Sequence, residues 1–131
     1  MAGAKTAPPN DVWWESNHKY GKVYDSHTGT MQLLAFKEVD QKYESTMCID
    51  GLIMATQYDI NWREDIFTGW HFYDVSQCIE FIKKGYEVLV PRQESPWCIH
   101  DCGIVNLDNG YNHYQDCFLA EYSKDIFPLV R

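Results

Sequence analysis

Asp74 is the residue whose setting most suggests chemistry. It follows Trp70-His71-Phe72-Tyr73 and precedes Val75, Ile79 and Ile82, whose spacing predicts a short helix. A carboxylate at or just before a first helical turn faces partly positive backbone N–H groups that hold it in place. Two roles fit that position. It is a cap for the helix, or a rigidly held general base walled by the rings before it. Spacing alone leaves both open. A second carboxylate, Asp50, interrupts the apolar run from Thr46 to Thr56. Such a residue is usually paired or faces a site. A third constellation is Cys98, His100, Asp101 and Cys102. Thiolate and imidazole suit zinc, although Cys-x-His-x-Cys is not a familiar zinc-knuckle spacing. If the segment is extended, Cys98, His100 and Cys102 share one face. A packed loop with buried thiols fits equally. His100 alone would also suit a divalent cation shared with a substrate phosphate, given carboxylates from elsewhere.

These residues need elements to position them. Residues 1–11 read as an extended lead-in with Pro8-Pro9, followed at once by Val12-Trp13-Trp14, which must pack on something. A short strand is expected around Lys22 to Tyr24, inside a loop bounded by Gly21 and Gly29. Met31 to Val39 favours strand, and Asp40 to Glu44 a turn. Thr46 to Thr56 reads as one buried strand, with Gly51 where the backbone approaches something closely. Tyr58 to Asp65 is a polar connection. The helix opened by Asp74 ends at Lys83-Lys84-Gly85, basic residues and then a glycine stop. Tyr86 to Val90 is the clearest strand, closed by Pro91. Ser95 to Gly103 is a loop, Asp108-Asn109-Gly110 a turn, and Tyr111 to Ser123 a last helix. The class is α/β.

Length and charge narrow the functions. The chain has 131 residues, enough for one domain over 1–131. A net charge of −8 argues against nucleic acid, which needs clustered Lys and Arg. An aromatic share of 15% suggests a pocket or partner surface as well as a core. Five cysteines, an odd number with no secretory leader before them, point to reduced thiols in a cytoplasmic setting. No apolar run approaches the roughly 20 residues of a transmembrane segment. Peripheral attachment at an inner membrane stays open.

Taken together, Gly51-Leu52-Ile53-Met54-Ala55, Gly69-Trp70 with Asp74 opening a helix, Gly85-Tyr86, and His100 with Gly103 resemble a glycosyltransferase. The similarity is to the C-terminal, acceptor-side half of an inverting, bacterial family-2-like GT-A enzyme. The motif order is also similar to that of the β-1,4-galactosyltransferases. The resemblance implies a partial GT-A-like (nucleotide-diphospho-sugar transferase) fold: a mixed sheet with flanking helices, the N-terminal nucleotide-binding half missing. It further implies transfer of a sugar from a nucleotide-sugar donor to a glycan or other hydroxyl acceptor in polysaccharide biosynthesis. Asp74 matches the catalytic base. Gly51, Gly69, Trp70 and Tyr73 match the substrate pocket. His100 matches a ligand of Mn²⁺ or Mg²⁺ beside the donor diphosphate. Tyr73 stands where the family usually has Glu, and no Asp-x-Asp motif occurs. The chain then reads as a fragment that pairs with a missing N-terminal half or forms a homodimer through its open sheet edge. Two other classes compete: a non-catalytic remnant or interaction module, with exposed apolar surface near Trp13-Trp14 and Ile49 to Ala55, and a small zinc-binding domain.

Overall fold

The computed structural model describes residues 1–6 and 15–126; Trp13 and Trp14 lie outside the described residues. The elements run β1 (Ala2–Ala4), β2 (Lys19–Asp25), β3 (Gln32–Ala35), β4 (Tyr43–Thr46), β5 (Cys48–Ile49), α1 (Tyr73–Lys83), β6 (Val88–Pro91), β7 (Ile99–His100) and α2 (Tyr111–Ile126). The main sheet has the order β3-β2-β1-β5, all antiparallel, and β7 adds to β2 in parallel. Strands β4 and β6 form a separate antiparallel pair. The described residues form a mixed α/β architecture with two helices.

The first correction concerns the lead-in. Ala2–Ala4 is a buried strand between β2 and β5. Its small residues are what the position needs: a Cβ on Gly3 would lie 2.5 Å from the Cys48 carbonyl oxygen and 2.8 Å from Val90. Gln93 pins this strand by donating through Nε2 to the Met1 carbonyl at 2.9 Å.

The second concerns Thr46 to Thr56. Only Cys48–Ile49 continues as strand past Thr46, because Asp50 turns the chain by accepting the Leu52 N–H on Oδ1 at 3.1 Å. Ile49 is buried and Leu52 to Met54 are half-buried, so this is not the exposed apolar face expected there. Exposed apolar side chains do recur along a later stretch, at Trp97, Ile99, Ile104, Val105 and Leu107.

The core lies where α1 and α2 meet the sheet. Val75, Cys78 and Ile79 of α1 pack with Phe118, Tyr122 and Ile126 of α2, Val88 and Val90 of β6, and Cys48 and Ile49 of β5. Cys78 is part of that packing. Burial pushes its thiol up to about 12, and its sulfur accepts the Ile49 N–H, so it is an inert joint between α1 and β5. Arg63 ties the connection before α1 to both helices through Asp65 (2.8 Å), Glu121 (2.7 Å) and Glu80 (3.6 Å). No helix among the described residues is long and apolar enough to cross a membrane.

Candidate functional site

Asp74 sits in the first turn of α1, but Phe72 occupies the N-cap and caps without a side-chain hydrogen bond. Phe72 adopts a left-handed backbone, φ 61°, uncommon for a bulky residue and held here by burial of its ring against Tyr111 and Phe118. That turn aims Asp74 inward. Its Oδ1 accepts the Val75 N–H at 2.8 Å and its Oδ2 the Gly51 N–H at 2.8 Å. Burial raises its pKa, and those N–H groups and His71 pull the other way.

The Gly51 bond brings Asp50 alongside. Burial and the neighbouring Asp74 charge push the Asp50 carboxyl up to about 6. Tyr73 closes the junction from above: a Cβ on Gly51 would lie 2.2 Å from its hydroxyl oxygen. Burial, then Asp74 and Asp50, raise the Tyr73 phenol. Gly51, Tyr73 and Asp74 thus converge where β5 meets α1, with Asp50 among them. Tyr73 also lines a pocket of about 180 Å³ together with Trp62, Arg63, Glu64, Phe67 and Ser76.

His100 stands on β7, where its Nδ1 lies 2.7 Å from Asp25 Oδ2 at the end of β2. The other oxygen of Asp25 faces His27, at 2.5 Å from Nδ1 and 2.7 Å from the backbone N–H. Burial raises the Asp25 carboxyl, and hydrogen bonds from His27 and His100 more than offset it, leaving the group below its ordinary value. The nearest available ligand atoms of Asp25, His100 and Cys102 lie within 4.8 Å of one another, a group able to hold a divalent metal. Cys98 does not join it.

Gly69 and Trp70 make their contacts elsewhere. A Cβ on Gly69 would lie 2.6 Å from the Tyr114 ring, so the glycine lets its loop close on α2. Trp70 is 85% exposed. His71 meets Asn109 at 2.5 Å and turns its ring edge to Tyr111, which holds the loop on α2.

Two participants escaped the sequence. Asp25 left a weak signal in Asp25-Ser26-His27 at a strand end, an Asx turn closed by the His27 N–H. Its pairing with His100 spans the chain and has no local signature. Trp62 lay in a stretch read as polar connection, yet it lines the pocket 6.1 Å from the Tyr73 ring.

No curated protein matches the chain, and no solved structure does. One protein-family model, described as a glycosyltransferase-like family, matches residues 1–122. That span takes in every element from β1 to most of α2, and the chain belongs to the glycosyltransferase-like family.

Proposed function

We propose that the chain acts in an inverting, family-2-like sugar transfer from a nucleotide-sugar to a hydroxyl acceptor on a glycan. The supporting observation is the half-buried carboxylate pair Asp50 and Asp74, joined through Gly51 and roofed by Tyr73, whose ring also lines an aromatic pocket. In this reading Asp74 takes the acceptor proton as the hydroxyl attacks the anomeric carbon, ordinary general-base catalysis. The Asp74 charge raises the proton affinity of Asp50, since like charges placed together resist joint ionisation. Tyr73 and Trp62 offer ring faces suited to a pyranose. In the same reading Trp70, exposed on the loop before α1, meets substrate from solvent.

The cation is proposed as Mn²⁺ or Mg²⁺. Asp25 and His100 offer an oxygen and a nitrogen that suit Mn²⁺, while Mg²⁺ favours oxygen alone. A cation held there would neutralise charge on the departing nucleotide diphosphate.

Calorimetric titration with UDP and a panel of UDP-sugars, with and without Mn²⁺, tests the reading. Manganese-dependent binding that disappears in His100→Ala is the expected result. A folded chain that binds none of them would remove catalysis by this chain alone.

A second reading has its own support. Trp97, Ile99 and Ile104 are 52%, 69% and 79% exposed on one stretch of chain, as an interaction module would require. Light scattering across a concentration series, with Ile104→Asp alongside, separates self-association from a monomer.

A further inference from the structure

We propose that the stretch from Tyr58 to Trp62, with Tyr86 at one end and Tyr73 at the other, is a strip that binds the acceptor glycan beyond its reacting sugar. The inference rests on the transferase reading, which sets the reacting hydroxyl at Asp74, and adds a distal sugar-binding site at Tyr58 and Tyr86.

Three contacts lay this stretch along α1, running in the opposite direction. Trp62 meets Tyr73 at the start of the helix, with ring centroids 6.1 Å apart. Near the middle, the Ile60 carbonyl accepts a hydrogen bond from Gln77 Nε2 at 2.8 Å. Just past the helix end, Tyr58 stacks on Tyr86 with centroids 4.7 Å apart and the planes at 25°. Two aromatic pairs therefore stand at opposite ends of α1. The 11 residues of that helix cover about 16 Å. One pyranose cannot reach both pairs, whereas a short oligosaccharide can.

The composition of the strip favours a sugar over a protein partner. Ile60 is buried between the two pairs, and the exposed Asp59 and Asn61 alternate with the rings. The surface is thus aromatic faces separated by polar groups, not one continuous apolar patch. A pyranose matches it, with C–H faces for the rings and hydroxyls for a carboxylate and an amide. Tyr58 is 53% exposed although one face is spent on Tyr86, and Trp62 is exposed as well. Both ends are fixed before any ligand arrives, which lowers the ordering cost of binding. Thr56 Oγ1 accepts the Tyr58 N–H at 3.0 Å, and the Tyr86 N–H donates to the Phe81 carbonyl at 3.1 Å. Arg63, bonded to Asp65 and Glu121, anchors the chain directly after Trp62.

The test titrates the full chain, without nucleotide, with glucose, galactose and N-acetylglucosamine and with their short linear oligomers. Binding is read from the tyrosine and tryptophan ring signals by NMR. Affinity should rise at least tenfold from the single sugar to the tetramer. Tyr58→Ala should remove that gain and leave single-sugar binding unchanged, while Tyr58→Phe, which keeps the ring, should bind like the parent. If Tyr58→Ala fails to fold, Tyr58→Leu, which keeps bulk without an aromatic face, takes its place. Tyr43→Ala, at an equally exposed tyrosine on β4, is the control and should change nothing. Stacking reads ring faces more than substituents, so no binding across the whole series, or none that depends on length, overturns the strip. So does a gain that survives in folded Tyr58→Ala, which would leave Tyr58 as a cover for the end of α1. A parallel titration with UDP and Mn²⁺ keeps the two claims apart. UDP binding without length dependence removes the strip and leaves the transferase reading; length dependence without UDP binding leaves a carbohydrate-binding strip and removes the transfer.

Discussion

The backbone N–H of Gly51 donates to Asp74 Oδ2 at 2.8 Å, and this one bond fixes the turn after β5 to the first turn of α1. It gives Asp74 a structural task as well as a proposed chemical one. The two are separable. Asp74→Asn keeps the shape, yet whichever way the amide turns, one of the two N–H donors from Gly51 and Val75 meets an NH₂ group. A buried donor left unsatisfied costs about 1–3 kcal/mol. Urea denaturation should report a loss of that size. The proposed base predicts more: turnover falling by about 10²- to 10⁴-fold with UDP-sugar affinity unchanged. A stability loss with full turnover would leave Asp74 as a brace only.

Asp50 makes stability depend on pH. Its folded carboxyl titrates at about 6, against 3.8 for the free group. The folded state therefore binds more protons than the unfolded chain between those values. The stabilising contribution is complete below about pH 4 and is lost as pH rises through about 6. Two units correspond to at most about 3 kcal/mol. Asp74, also raised, adds in the same sense. Asp25 is lowered, so its contribution is lost only as pH falls below the ordinary carboxylate range. Denaturation of Asp50→Asn at a series of pH values should show greater stability than the parent at pH 7.5 and little difference at pH 4. Equal stabilities at both would mean that Asp50 is well solvated.

Gly51→Ala tests the roof of the junction. The new Cβ would lie 2.2 Å from the Tyr73 hydroxyl and 2.7 Å from the ring carbon that bears it. Tyr73 must tilt away, at a cost of about 1–3 kcal/mol for overpacking. Because the hydroxyl is the nearest atom, Tyr73→Phe should recover part of the loss. A double-mutant cycle in chemical denaturation would then be less than additive. Strict additivity would place the strain elsewhere.

What could be read from the residues was local. Helix α1 was legible in the spacing of Val75, Ile79 and Ile82, β6 in its β-branched run, and α2 in the turn before it. Strand β1 was not, because Ala-Gly-Ala carries neither strand propensity nor apolar weight, and its place is set by neighbours that need small residues. Asp74 and Tyr73 stood out because a periodic helix begins at them. His100 stood out for its company of cysteines, but its partner is Asp25, brought close by the parallel pairing of β2 with β7. Spacing cannot record a contact of that range. It named Cys98 and missed Asp25 for that reason.

Gly69 and Trp70 are neighbours with opposite structural tasks, and the contrast tests the loop. Gly69→Ala would place a Cβ 2.6 Å from the Tyr114 ring, whose hydroxyl also meets Thr68 Oγ1 at 2.9 Å. The loop must lift from α2, so thermal unfolding should show a destabilisation of about 1–3 kcal/mol. Trp70 is 85% exposed, and Trp70→Ala should stay within about 0.5 kcal/mol of the parent. If Trp70 serves the proposed transfer, that same variant loses substrate affinity or turnover while its melting curve stays put. If Trp70→Ala keeps both stability and full activity, the indole serves neither fold nor transfer. Substrate recognition would then fall to Trp62 and Tyr73, the rings that line the pocket.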